Sequence, residues 1–375
     1  MYLRRLTLTN FRVYEQLQLD LERGLTVFIG PNAAGKTSLL EAMHVLAMTK
    51  SPRTNSDVEL VHWGASVCRV EGSFVTHEGR ALRLAVGIDA SGGTGALGRR
   101  LEIEGEAVGG PRDFIGHASV VMFTPDDLAI IKGGPGLRRR FLNTAIAQLQ
   151  PRYLDDLTRY KRALRQRNEL LKSLGHGGRP PAEAQAWTEQ LVRSGAAVAV
   201  TRRRFISALD VQAREIHALI AGEERLGVSY VGELADCAAE DTAAEAFRAR
   251  LDELGDLEVR RGTTLAGPHR DELHVAINEV SVRQFGSQGQ QRTAALSLKL
   301  GQARVAQEWS DEPPLLLLDD CLSELDPARA RAVLDLANTL DGLIVTTAKL
   351  DPVLAEHPEA VFYDIGGGAA VGRSG

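Results

Sequence analysis

The sequence predicts an α/β protein: a phosphate-binding lobe, a mixed sheet with helices, interrupted by an inserted, mainly helical lobe. Three observations carry this. Leu25, Val27 and Ile29 alternate like a strand and run into a glycine-bearing turn, "GPNAAGKT" (30–37), with apolar residues at helical spacing behind it. Far down the chain a second apolar run, "PPLLLLDD" (313–320), closes on two aspartates. Between them the pattern from 137 onward turns helical and basic.

Strands are expected at 2–9, 17–21 and 25–29. Leu39, Leu40, Met43 and Leu46 then mark a helix. "MTKSPRTNSD" (48–57) reads as a mobile polar loop, and strands follow near 67–76, 81–88, 100–104 and 118–123. In the helical stretch Leu157, Leu164 and Leu171 recur every seven residues with Leu154 alongside, and "GHGGRPP" (175–181) breaks the run. Trp187, Leu191, Val198, Phe205, Leu209 and Ile216 line a second long helix. Three heptad leucines are too few for a coiled coil, so the expectation is a short antiparallel hairpin packed within its lobe. Strands resume at 226–231 and 274–280, a helix at 293–309, and "PLLLLDD" and "GLIVTT" (342–347) add parallel strands. The phosphate-binding lobe is thus split into 1–119 and 263–375 around an insert at 120–262.

Composition bounds the function. The chain has 375 residues, 44% apolar and 25% charged, the balance of a soluble globular protein of one large or two medium domains. No apolar run reaches the roughly 18 residues that cross a bilayer. "MYLRRLTLTNF" alternates like a strand and lacks an apolar signal core. Cys68, Cys237 and Cys321 stand far apart without a CxxC pair, which fits a reducing cytoplasm and argues against a zinc site or disulfide framework. The net charge is −5, yet Leu137–Arg214 holds 16 Lys/Arg against 6 Asp/Glu, a local +10 that leaves −15 elsewhere. Such a block suggests a polyanionic partner, although charge alone also allows a solvated helix face.

The chemistry begins at the turn. Gly30, Gly35, Lys36 and Thr37 fit G-x-x-x-x-G-K-[ST], with Pro31, Asn32, Ala33 and Ala34 inside it and Ser38 following. Backbone N–H groups would cradle phosphate oxygens, Lys36 would reach the β- and γ-phosphates, and Thr37 would offer its hydroxyl to Mg²⁺. Asp319 would hold the Mg²⁺ water shell, and Asp320 would orient the attacking water. "SQGQQR" (287–292) precedes a helix, so Ser287, Gln288, Gly289 and Gln290 form an anion-binding corner; an ordinary N-cap is the plainer reading of the same residues. A chain with one phosphate loop has little use for a second γ-phosphate grip, whereas a homodimer does. "CLSELDP" (321–327) then places Ser323, Glu324 and Asp326 to cross the same interface.

Phosphate loop, "SQGQQR", acidic strand and "SELD" resemble the ABC-type ATPases, and more narrowly the heads of chromosome-maintenance and double-strand-break-repair ATPases. Within that group "LTNFRVYEQLQLDL" (8–21), "FTPDDLAIIKGGPGLRRRFLN" (123–143), "TLAGPHRDEL" (264–273) and "FGSQGQQRTAALSLKL" (285–300) resemble the RecF family of recombination mediators, nearly end to end. Departures from general ABC proteins are Gln288 within the signature, Asp320 where glutamate is usual, Thr346 and Thr347 where a switch histidine is common, and no clear magnesium-contacting glutamine at "MFTPDD" (122–127). RecF-like proteins share them, and they suggest slow hydrolysis suited to a switch.

The resemblance implies ATP and Mg²⁺ as cofactors, dimerisation on ATP binding, double-stranded or gapped DNA as ligand, and cooperation with RecO and RecR in loading RecA during gap repair and fork maintenance. It makes Arg12 a nucleotide contact, and the basic block nominates Arg138, Arg139, Arg140, Lys161, Arg162 and Arg165 for DNA. His269, Arg270 and Asp271 read as interface or loop-ordering residues, since one histidine and one acid are too few for a metal. His44 reads as structural. A transporter's ATP-binding subunit, a P-loop kinase and a scaffold with a degenerate site are the competing classes. The basic insert and "GPHRDEL" speak against the first, the signature–"SELD" pair against the second, and intact Lys36, Thr37, Asp319 and Asp320 against the third.

Overall fold

Apolar alternation in the N-terminal strands produces an antiparallel sheet. In order across it run Tyr14–Asp20, Tyr2–Phe11, Val67–Val75, Ala81–Asp89, Gly98–Ile103 and Glu106–Ala107. Leu6 and Leu8 pair with Leu19 and Leu17 across the first two strands, so one face carries a leucine ladder. The computed structural model describes residues 1–91, 98–174, 182–310, 312–337 and 340–373. Its chain divides into two compact units, Met1–Leu128 with Glu215–Glu224 and Ala295–Gly375, and Ala129–Arg214 with Arg225–Ala294. The division differs from the expected one: residues 263–294, including the "SQGQ" corner, belong to the second unit, because their strand pairs with Leu226–Val231.

The first unit has a second sheet, ordered Ala369–Gly372, Val361–Gly366, Gly24–Ile29, Gly342–Thr347, Leu315–Asp319 and Val120–Phe123. It is parallel except for the last hairpin, 361–372, which the sequence reading did not anticipate. Central parallel strands are covered on both faces, which is why Leu315–Leu318 and Leu343–Val345 are apolar without alternation. Register sets Asp319 beside Thr346, and Ile29 beside Thr347, so three strands deliver their carboxyl ends to one edge. In open parallel sheets that edge is where ligands bind. Helix Lys36–Met48 starts there and packs on Val67–Val75 of one sheet and Val120–Phe123 of the other. Leu39, Leu40, Met43 and Leu46 on this helix join Leu3, Phe74, Val86, Met122 and Leu317 in one core. Each such side chain contributes about 1.5–3 kcal/mol on burial.

The second unit holds helices Pro135–Leu149, Pro151–Ser173 and Glu240–Arg261, most of helix Ala182–Ala221, and a small sheet of Val280–Ser281, Glu272–Ile277 and Leu226–Val231. The expected hairpin is present. Tyr153 meets Arg202, and Arg167 meets Thr188, so partners advance by equal steps in opposite directions along the two helices. Its connecting segment 175–181 lies outside the described residues. Helix Gln288–Trp309 begins earlier than the expected 293. The loop 48–57 is not loose either: the buried Ser51 hydroxyl donates to Glu41 and accepts the N–H groups of Arg53 and Thr54.

A buried polar network orders the "GPHRDEL" turn. Arg202 donates to Tyr153, to the Pro268 carbonyl and to Asn143, and pairs with Asp271, whose carboxylate also accepts from Tyr230. His269 Nε2 faces the Thr264 carbonyl at 3.2 Å and so carries the proton; Nδ1 accepts from Tyr160 at 2.6 Å. The loop-ordering reading of His269 and Asp271 therefore fits, while Arg270 points to solvent. Burial pushes the His269 imidazole down to about 4. A depressed histidine stabilises the fold above the unfolded value near 6.5, and that contribution is lost as pH falls through the window down to about 4, at ~1.4 kcal/mol per pH unit. The melting temperature should fall across this window, and His269→Gln should flatten the slope by one proton. An unchanged slope in the variant would place the titration elsewhere.

Candidate functional site

The nucleotide-type site is assembled wholly within the first unit. Gly30 ends strand Gly24–Ile29 where a Cβ would lie 2.2 Å from the Ile365 carbonyl oxygen, so only glycine fits. Gly35 has φ 107°, left-handed, with a would-be Cβ 2.5 Å from the Tyr14 hydroxyl. Between them Pro31, Asn32 and Ala33 are exposed. No side chain caps helix Lys36–Met48. Its first amides, Lys36, Thr37 and Ser38, lack intrahelical acceptors and face the loop with the positive end of the helix dipole. The buried Lys36 ammonium is held over the loop by the carbonyls of Gly30 at 2.6 Å and Pro31 at 3.0 Å.

The acids come from strand Leu315–Asp319, which strand Gly342–Thr347 separates from Gly24–Ile29. Thr37 Oγ1 donates to Asp319 at 2.8 Å, and Thr346 Oγ1 donates to the same carboxylate at 2.7 Å. Thr37 and Asp319 supply only hard oxygen donors, the set that suits Mg²⁺. Asp320 follows in a left-handed conformation, φ 49°, with its N–H on Thr346 and with Ser323 Oγ donating back to it. Asp326 caps helix Pro327–Ala337 by accepting the N–H groups of Ala328 and Arg329, and Glu324 lies in the short turn Leu322–Glu324 between them.

In the second unit, Ser287 and Gln290 form a reciprocal capping box: Ser287 Oγ accepts the Gln290 N–H, and the Gln290 side chain accepts the Ser287 N–H. This cap moves the helix start up to Gln288. It leaves Ser287, Gln288 and Gly289 exposed at a dipole end, so the capping and anion-corner readings describe one geometry. Phe285, two residues before, is 73% exposed.

Two expectations are corrected. Arg12 does not point outward as a free nucleotide contact: its guanidinium pairs bidentately with the fully buried Glu41 at 2.6 and 2.9 Å and donates to the Glu59 carbonyl. Glu41 on an otherwise apolar helix face was the legible signal for this pair. Arg138 is not a DNA contact. It is buried, ion-paired to Glu272 and hydrogen-bonded to the carbonyls of Ile130, Ile131 and Gly133. Arg139 is half-buried on the Asp271 carbonyl. Of the basic candidates Arg140, Lys161, Arg162 and Arg165 are exposed, with Arg162 over the Trp187 ring at 5.8 Å. Arg138→Ala should therefore destabilise by about 3 kcal/mol, since it strands a carboxylate and three carbonyls. Denaturant unfolding checks this; a neutral result would return Arg138 to the surface. His44 is structural as expected, with Nδ1 at 3.1 Å from the Lys50 carbonyl and burial pushing it down to about 4.

Thr346 is the residue whose place in the site the sequence left unassigned. Its signal is a hydroxyl in an otherwise apolar parallel strand.

Known proteins resemble this chain in sequence and in fold. The AAA ATPase domain family matches residues 1–85. The chain is 40% identical over 363 residues to the DNA replication and repair protein RecF of Exiguobacterium sp., covering 95% of each. It is 37% identical over 379 residues to RecF of Geobacillus thermodenitrificans, covering all of both, and 38% identical over 360 residues to RecF of Bacillus subtilis, covering 94% of this chain and 95% of the relative. Among solved structures, the recombination mediator RecF bound to ATP in the RecFOR pathway superposes with a TM-score of 0.89 at 29% identity, covering 100% of this chain and 98% of that one. An Smc head domain from Pyrococcus furiosus, covered to 96% by 99% of this chain, matches at a TM-score of 0.57 and 15% identity, a likeness of fold.

Proposed function

The chain belongs to the RecF family of DNA replication and repair proteins, and on that premise we propose that it is an ATP-driven switch that grips DNA as a dimer in recombinational repair. The observation that carries the ATPase reading is the convergence of Lys36, Thr37, Asp319 and Asp320 at one edge of the parallel sheet. ATP phosphates would lie on the 30–38 loop amides, with Lys36 exchanging its two loop carbonyls for phosphate oxygens. Thr37 and Asp319 would hold Mg²⁺, which would supply positive charge against the charge developing on the phosphates. Asp320 would orient and accept a proton from the attacking water.

The exposed Ser287 corner suits the γ-phosphate held by a second copy, with Ser323 and Asp326 bordering that contact. ATP would thus join two subunits, and hydrolysis would remove the group they share. Joining two basic helical lobes would build a surface for the DNA backbone, through exposed positions such as Arg140, Lys161, Arg162 and Arg165. Affinity should then be salt-dependent and weakly sequence-specific. RecR and RecO are the partners that family membership suggests.

The test is to size the chain with and without ATP, and with and without duplex DNA. ATP should convert monomer to dimer, and DNA should bind the dimer; a monomer under saturating ATP and magnesium overturns the switch. Asp320→Asn should lower hydrolysis by about 10²-fold while leaving ATP binding intact, and so prolong the dimer on DNA. Release at the normal rate would remove Asp320 from the reaction.

A further inference from the structure

We propose that Thr346 is a positioning residue that holds both acids of the ATPase site in one geometry, a reading that rests on the proposed function above. Thr346 is 1% exposed, one residue from the end of strand Gly342–Thr347. Its hydroxyl has a single proton, donated to Asp319 Oδ1 at 2.7 Å, and its lone pairs accept the Asp320 N–H at 3.0 Å. The Asp320 N–H also reaches the Thr346 carbonyl at 3.2 Å. One side chain therefore ties the carboxylate of the first acid to the backbone of the second.

Both acids need the tie. Asp319 Oδ1 receives Thr346 and Thr37 together, which fixes the carboxylate plane and turns Oδ2 toward the Thr37 hydroxyl, 2.8 Å away. Asp320 stands at φ 49°, a conformation disfavoured for a residue with a Cβ, and an anchored N–H keeps it there. Thr347 does not share the task, because its hydroxyl donates to the Lys349 carbonyl at 2.6 Å. Both hydroxyl protons at this strand end are directed inward, to Asp319 and to the chain. The strand end thus acts on the reaction by orienting the acids rather than by touching the terminal phosphate.

The experiment uses the full chain with Thr346→Val, which keeps shape and removes the hydroxyl, and Thr346→Ser, which restores it. Three readouts are taken: single-turnover ATP hydrolysis, the magnesium concentration that half-saturates binding of a fluorescent ATP analogue, and the melting temperature. Partners that orient a metal-binding group typically change affinity or activity by about 10–100-fold, so Thr346→Val should hydrolyse that much more slowly and need about tenfold more magnesium. Its affinity for the analogue in chelator should match wild type, and Thr346→Ser should match wild type throughout. Wild-type hydrolysis and magnesium midpoint in Thr346→Val overturn the proposal. So does a Thr346→Ser as impaired as the valine variant, since the methyl group and not the hydroxyl would then matter. If the valine variant does not fold, Thr346→Ala is read against the same outcomes. A wild-type chain that binds the analogue but never hydrolyses ATP overturns the ATPase reading itself, whatever residue 346 does.

Discussion

Lys36→Met should weaken ATP binding about 100-fold and lower hydrolysis about 10³-fold, and with them remove ATP-dependent dimers and DNA binding. A charged hydrogen bond to phosphate is worth roughly 1.5–3 kcal/mol in binding, and one electrostatic contact to developing charge about 10²–10³ in rate. Lys36 would make both. Its ammonium is buried and rests on two carbonyls of its own loop, so the substitution also changes the ligand-free protein. Methionine keeps most of the volume and removes a buried charge while leaving two carbonyls unpaired, so these effects oppose each other. The ligand-free melting temperature should stay near wild type. The shift produced by ATP, worth ~2.7 kcal/mol when ligand exceeds Kd 100-fold, should fall to ~0.4 kcal/mol at the same ATP concentration. A retained shift would show that the phosphates are bound elsewhere.

Ser287→Arg should separate nucleotide binding from assembly. Ser287 is exposed and lies in the second unit, apart in sequence from the loop that would hold the phosphates. Arginine keeps neither the small size nor the hydroxyl of the corner, and loss of the cap costs about 1 kcal/mol of helix stability. Affinity for ATP in the monomer should stay within about threefold of wild type, while ATP-induced dimers disappear in sizing and DNA is no longer retained. Dimers that persist would exclude the Ser287 corner from the interface. Measuring both Lys36→Met and Ser287→Arg distinguishes a failed site, which loses binding, from a failed interface, which keeps it.

The parts that could be read from residue order share a physical basis: each is local. A glycine-bearing turn between strand and helix needs a left-handed backbone at Gly35 and no Cβ at Gly30, and these leave a spacing in the sequence. Parallel strands covered on both faces leave unbroken apolar runs, so Leu315–Leu318 and Leu343–Val345 were legible at once. The basic block was legible as charge but not as surface. Arg138 and Arg202 sit in the same "RRR" runs as exposed neighbours, and no pattern of charge separates them. What separates them is a distant carboxylate, Glu272 for one and Asp271 for the other. The helix at Gln288 began before its apolar pattern did, because a side-chain cap rather than burial starts it.

From its sequence alone this protein's phosphate loop, its two acids and its family likeness were legible, since motif chemistry depends on residues a few positions apart. Only the tertiary structure decided that Thr346 joins Asp319 to Asp320, that Arg12 belongs to Glu41, and that Arg138 is an interior ion pair. Those are pairings across strands and helices distant in the chain, and a charge or a hydroxyl acquires its role from the partner that folding brings within hydrogen-bond reach.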